Sequence, residues 1–144
     1  MAAKKPITIL HVEDDEMDVM SLQRSFRKAR IANEIVNASN GEDALDILRG
    51  TNGRDMLAPP YVLLIDINMP RMNGIELLRE IRADHGLRHI VAFVLTTSDH
   101  EADILTAYDQ NVAGYLLKRD AGTQFLRAVS MLENFWNLVE FPVQ

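Results

Sequence analysis

The run Tyr61-Val62-Leu63-Leu64-Ile65 leads without a polar break into a single carboxylate, Asp66. An unbroken aliphatic and β-branched run of this length predicts a parallel strand buried on both faces. Pro70 and then Asn73-Gly74 follow as the loop that ends it. Asp66 is thereby placed at the carboxyl end of a central strand, the edge where open α/β sheets bind their ligands. Everything else in the chain can be read as supplying that carboxylate with neighbours.

Taken in order, the mostly apolar stretch Ile7 to Val12 predicts a first strand, closed by Glu13-Asp14-Asp15. Val19, Leu22, Phe26 and Ala29 fall at helical spacing between Glu16 and Arg30. Asn33 to Val36 predicts a short second strand. Asn40 is placed to cap a helix through Leu45 and Leu48 that Gly50 stops. Thr51 to Pro60, with Gly53, Pro59 and Pro60, is a longish loop before the central strand. A helix over Ile75 to Ala83 points Leu78 and Ile81 inward. Ile90 to Leu95 is a fourth strand, Asp99 a cap for a helix reaching Gln110, Ala113 to Leu117 a fifth strand, and Gly122 to Leu138 a last helix. Five βα repeats with crossovers of this length predict a five-stranded parallel sheet covered by helices on both faces.

The 144 residues suit one domain, with 1–6 a disordered N-terminal segment, 7–138 the domain and 139–144 a tail. No apolar run approaches the ~20 residues that span a bilayer, and Met1 to Pro6 leads into no signal-peptide core. The absence of cysteine removes disulfides and thiolate metal sites and fits a cytoplasmic protein. A formal net charge of -6, with Lys and Arg scattered, argues against nucleic-acid binding.

Asp14, Asp15 and Asp66 fall at the carboxyl edge of adjacent strands. Carboxylates gathered there repel one another unless a cation sits among them. Hard oxygen ligands with room for water and phosphate suit Mg²⁺. The plain alternative is that Glu13-Asp14-Asp15 is only a solvated helix start, where acids are favoured anyway. Thr96 and Lys118 end the fourth and fifth strands. A hydroxyl and an ammonium converging on a carboxylate–Mg²⁺ site would meet the oxygens of a phosphoryl group.

Val12-Glu13-Asp14-Asp15, Leu64-Ile65-Asp66-Ile67-Asn68-Met69-Pro70, Asn73-Gly74, Thr96, and Gly114-Tyr115 leading to Lys118 together resemble the receiver domain of bacterial two-component response regulators, from about Ile7 to Leu138. The resemblance implies the flavodoxin-like doubly wound sheet of order 2-1-3-4-5, with five helices. It implies Asp66 as phospho-acceptor from a sensor histidine kinase, Asp15 and the backbone carbonyl of Asn68 as direct Mg²⁺ ligands, and Asp14 as holder of a metal-bound water. Thr96 would bond the phosphoryl oxygen and Lys118 would pair with it. Tyr115 is either an aromatic switch that follows Thr96 inward or a strand aromatic packed on a helix. The Thr51–Pro60 loop, Leu95-Thr96-Thr97-Ser98 and the ending Phe135-Trp136 with Pro142 are similar to the small regulators paired with phytochrome-type kinases.

The family usually follows this lysine with proline across a cis bond; here Arg119 follows. Either the bond is trans or it stores the ~3 kcal/mol that a cis bond without proline costs. The last helix carries Phe125, Leu126, Val129, Met131, Leu132, Phe135, Trp136 and Leu138, more than one core-facing stripe requires. Either the tail folds back over its own domain, or Phe125, Val129, Leu132, Phe135 and Trp136 form an exposed interface. The interface reading implies a homodimer through the fourth-helix, fifth-strand and fifth-helix face. With too few residues after Leu138 for another domain, a stand-alone receiver signalling through a binding surface is expected. It would catalyse only its own phosphotransfer and dephosphorylation. An aspartyl-phosphate phosphatase of the haloacid-dehalogenase kind would want an acid where Asn68 stands; a pseudo-receiver adaptor would take no phosphate.

Overall fold

A computed structural model describes residues 6–142 of the chain. The expected N-terminal segment 1–6 therefore lies, apart from Pro6, outside the described residues, as does the end of the tail at 143–144. The strands are β1 (Thr8–Val12), β2 (Ile35–Ala38), β3 (Tyr61–Ile65), β4 (Ala92–Thr96) and β5 (Gly114–Leu117). Between and after them run α1 (Glu16–Lys28), α2 (Gly41–Arg49), α3 (Gly74–Ala83), α4 (Glu101–Asp109) and α5 (Leu126–Leu138). The five strands are parallel in the order β2-β1-β3-β4-β5, the doubly wound flavodoxin-like arrangement.

Strand alternation divides the core into two layers. Leu10, Val12, Leu63, Ile65 and Val94 face α2 and α3, whose Leu48, Leu77, Leu78 and Ile81 close one side. Ile9, Val62, Leu64, Phe93 and Leu95 face α1 and α5 through Leu22, Phe26, Val129 and Leu132. Every residue of β3 is buried, as an unbroken apolar run requires of a central strand.

Local signals end the helices where they should. The Asn40 side chain accepts from Asp43 N–H at 2.9 Å, and Gly50 stops α2 at φ 68°. Asn73 and Glu76 form a reciprocal capping box on α3. At the far edge of the sheet, the Arg82 guanidinium donates to the carbonyls of Gln110, Arg88, Ile90 and Asn111, tying α3 to the end of α4.

Several expected boundaries shift. β2 begins two residues later than Asn33, whose side chain donates to Ile7 O at 2.7 Å ahead of the strand. The α4 cap is His100, not Asp99; the Asp99 carboxylate instead accepts from Arg119 at 2.9 Å. A 3₁₀ turn over Thr123–Phe125 precedes α5, with Gln124 and Phe125 both at positive φ. The Ser25 hydroxyl donates to Gln124 O there, and Phe125 is carried into the core. Among the described residues the cis peptide is Pro59–Pro60, so Lys118–Arg119 is trans.

The expected exposed patch on the last helix is corrected. Phe125, Val129, Leu132 and Trp136 are buried within their own domain. Phe135 stacks edge-on against Phe93 at 4.9 Å, and Phe141 returns to meet it at 5.9 Å. The helix is apolar on more than one stripe because it packs on the sheet, on α1 through Phe26 and Trp136, and beneath the tail. Among the described residues no helix is long and apolar enough to cross a membrane.

His11 on β1 is buried, and its Nδ1 has no hydrogen-bond partner. Burial, with the nearby Lys118 charge, lowers its pKa from the ordinary 6.5 to about 3. The unfolded chain therefore takes up a proton near 6.5 that the folded chain refuses until about 3, and acidification favours unfolding. Between pH 7 and pH 4 this group should remove roughly 3 kcal/mol of stability. Urea unfolding of His11→Leu beside wild type should show a correspondingly shallower acid limb; parallel limbs would refute the buried neutral imidazole.

Candidate functional site

The site is built where β1, β3, β4 and β5 end. Asp66 follows β3 directly, and its N–H still donates to Val12 O at 3.0 Å, so the sheet ladder fixes its backbone. Gly74 lies against that backbone: a Cβ there would overlap the carbonyl oxygen of Asp66. The glycine of Asn73-Gly74 is thus required by close approach, and its N–H donates to Ile67 O at 2.9 Å. Asp66 itself is buried, and its Oδ1 has no hydrogen-bond partner.

The acids around Asp66 are Glu13 and Asp14, whose ligand oxygens and that of Asp66 all lie within 4.8 Å of one another. Asp15, expected as a ligand, is not among them. Its carboxylate is the N-cap of α1, accepting from Met17 N–H at 2.9 Å and Asp18 N–H at 3.3 Å. Glu13 N–H continues the ladder to Ala38 O, which leaves the Glu13 side chain buried behind the site while Asp14 is exposed. Asn68 sits exposed on the loop two residues past Asp66.

Lys118 enters from β5. Its Nζ donates to Glu13 Oε1 at 2.7 Å and Asp18 Oδ2 at 2.6 Å, and stands 3.6 Å from Asp66 Oδ2. Burial pushes the Glu13 carboxyl up, to about 8, against the pull of the Lys118 hydrogen bond. Burial would lower the Lys118 ammonium, yet the bonds to Asp18 and Glu13 and the charge of Asp66 hold it above the usual lysine range.

Thr96, fully buried, ends β4; its Oγ1 accepts from Ser98 N–H at 3.3 Å and keeps its own proton to give. Tyr115, half-buried against the α2–α3 layer, donates its hydroxyl to Ser98 O at 2.8 Å. The Ser98 hydroxyl in turn donates to Asp103 at 2.6 Å on α4. Ser98 therefore links Thr96 to Tyr115 and α4. Glu13, Asp18 and Ser98 are site residues that the sequence reading passed over. The burial expected of a residue just past a closed strand was the available signal for Glu13; Asp18 carried none beyond its place in a first helical turn.

An unpartnered buried carboxylate oxygen, with two further carboxylates close by, fits a hard divalent cation such as Mg²⁺. Asp14→Asn should raise the melting temperature in the absence of Mg²⁺, by relieving repulsion, and should abolish the rise that Mg²⁺ gives wild type. Asp15→Ala should instead cost about 1 kcal/mol through the lost cap and leave the Mg²⁺ response intact. Thermal melts with and without Mg²⁺ decide this, and loss of the response in Asp15→Ala alone would reverse the assignment.

The response regulator receiver domain model matches residues 9–130. The probable methanogenesis regulatory protein FilR2 of Methanothrix harundinacea is 34% identical over 136 residues, covering 94% of this chain and 87% of that protein. The crystal structure of the phosphorylated cyanobacterial phytochrome response regulator RcpA superposes with a TM-score of 0.86 at 31% identity, covering 96% of this chain and 100% of that one. The Mn²⁺-bound form of the response regulator Rcp1, a protein of Synechocystis, superposes with a TM-score of 0.84 at 31% identity and the same coverage. With the sheet order, the acid cluster around Asp66, and Thr96 and Lys118 at the neighbouring strand ends, these likenesses place the chain in the response regulator receiver domain family.

Proposed function

We propose that this receiver accepts a phosphoryl group on Asp66 from the phosphohistidine of a sensor histidine kinase. The observation that carries the reading is the Asp66 Oδ1 atom, buried and unpartnered beside Asp14 and Glu13, with Lys118 3.6 Å from the other oxygen. An Asp66 oxygen attacks phosphorus, the P–N bond to the kinase imidazole breaks, and an acyl phosphate remains on the chain. Asp14 and Asp66, with Glu13 behind them, would hold Mg²⁺, and the family resemblance adds the Asn68 carbonyl. A Mg²⁺ ion there supplies positive charge against the phosphoryl oxygens. Lys118 offers an N–H and Thr96 its O–H to those oxygens. On this reading the domain catalyses only its own phosphotransfer and dephosphorylation.

The signal leaves through the β4–α4 loop. A Thr96 hydroxyl drawn toward a new phosphoryl oxygen pulls on Ser98, whose carbonyl holds Tyr115 and whose side chain holds α4. Leu105 and Tyr108 are exposed on α4, beside β5. We place the output surface there, and a homodimer through the α4–β5–α5 face rests on those two residues instead of the buried ones of α5. Sedimentation of Tyr108→Glu beside wild type tests the dimer, and an unchanged dimer fraction would move the interface elsewhere. The likeness to RcpA, a phytochrome response regulator by its description, supports a phytochrome-class kinase as donor.

Incubation with acetyl phosphate and Mg²⁺, followed by intact mass, should add one phosphoryl group to wild type and none to Asp66→Asn. Labelling of Asp66→Asn to the wild-type extent would overturn the acceptor, and no labelling of either protein, even by a panel of kinases, would favour an adaptor that takes no phosphate.

A further inference from the structure

Lys118 has one carboxylate partner with no part in the chemistry just described. Asp18, on the first turn of α1, accepts from the ammonium at 2.6 Å, a shorter contact than the 2.7 Å to Glu13 and the 3.6 Å to Asp66. An ammonium has three N–H donors. Two are committed to Glu13 and Asp18, and Asp66 lies beyond hydrogen-bond length. Lysine is a point charge on a flexible four-carbon stem, so its direction is set by what it is bonded to. Arg119, which follows it, turns its own side chain away to Asp99 and gives no help.

The consequence falls on Asp66. The ammonium stands 3.6 Å from Asp66 Oδ2 and makes no hydrogen bond to it, and Oδ1 is buried and without a partner. Without the Asp18 carboxylate the ammonium would be left with Glu13 and Asp66, and it would close on Asp66. A direct charge-assisted bond there would occupy a nucleophile lone pair and oppose the entry of any second cation. We propose that Asp18 is a positioning residue that holds Lys118 off Asp66, so that the carboxylate stays open and one Lys118 N–H remains to meet the incoming phosphoryl group. This rests on the phospho-accepting reading. Of the described acids at the start of α1, Asp18 is the one bonded to Lys118: Asp15 is used as the helix cap and Glu16 is exposed.

A double-mutant cycle tests it, with wild type, Asp18→Asn, Lys118→Met and the double variant. Asp18→Asn keeps the side-chain shape and removes the charge. Two readouts are taken on each protein: the rate of phosphorylation by acetyl phosphate with Mg²⁺, and the Mg²⁺ dissociation constant by calorimetry without any phosphodonor. With Lys118 present, Asp18→Asn should slow phosphorylation about tenfold, the scale of a displaced catalytic group, and weaken Mg²⁺ about threefold through the competing ammonium. With Met at position 118 both effects should shrink below about twofold, since the loss of a distant negative charge is common to the two backgrounds and cancels in the cycle. Asp18→Glu, which keeps the charge, should recover much of the rate. Equal losses in both backgrounds, or none with Lys118 present, would overturn the proposal. If wild type takes no phosphoryl group at all, the phospho-accepting reading fails, and the Mg²⁺ arm alone then decides whether Asp18 acts through Lys118.

Discussion

A single ammonium holds together the carboxyl edge of this sheet. Glu13, Asp18 and Asp66 all face Lys118, and Asp14 completes the crowd. Burying charges is expensive unless they are paired and hydrogen-bonded, and removing one partner of such a set costs more than the set contributes. With the Glu13 carboxyl pushed up to about 8, one lysine still faces the carboxylates of Asp14, Asp18 and Asp66, and the cluster is short of positive charge. That deficit is what a cation-dependent phosphoryl site requires: the fold is stable enough to gather the acids but does not neutralise them. Burial raises the Glu13 carboxyl, the Lys118 hydrogen bond opposes it, and the charge of Asp66 adds only a smaller push upward.

The rest of the fold exists, in this view, to make that gathering possible. Parallel strands end at one edge, so acids at the ends of β1 and β3 and a lysine after β5 come together without any loop having to carry them. The approach of Gly74 to the Asp66 backbone and the Asp66 N–H bond to Val12 fix Asp66 from both sides. Rigid placement matters because most of what a protein can offer to phosphoryl transfer is position and charge.

Much of this was legible in the sequence, for reasons that also mark its limits. The apolar run of β3 has one reading for a buried parallel strand, and Asn40, Gly50 and Asn73 carry cap chemistry that local structure obeys. The acid cluster was misplaced by one residue because Glu13-Asp14-Asp15 offers three carboxylates and two uses, ligand and cap. Which acid takes which use depends on where the strand stops and the helix starts, and sequence patterns fix such boundaries poorly. Asp15 takes the cap, so the site acids are the two before it. Asp18 was invisible because an acid in a first helical turn is favoured by the helix dipole whatever it touches. The apolar excess of α5 misled in another way. A helix covered on one side obeys a single stripe, but α5 lies on the sheet and α1 with Phe141 returning against it, so it buries residues from a wider arc.

The same edge also explains how a charge placed at Asp66 can be felt at a distance. Thr96 is the last residue of β4 and is paired in register with Leu117, the residue before Lys118. Its hydroxyl and the lysine therefore sit on neighbouring strands, where both would meet the same oxygens of a phosphoryl group on Asp66. From Thr96 the path runs through the Ser98 backbone to the Tyr115 hydroxyl and through the Ser98 side chain to Asp103 on α4. Each link is one hydrogen bond that can be exchanged for another, and none requires the buried core to move. A packed core resists small displacements, whereas a loop held by exchangeable bonds has two arrangements within reach. Tyr115 is a strand aromatic packed on the core, and its hydroxyl donates to the loop that a phosphoryl group on Asp66 would pull.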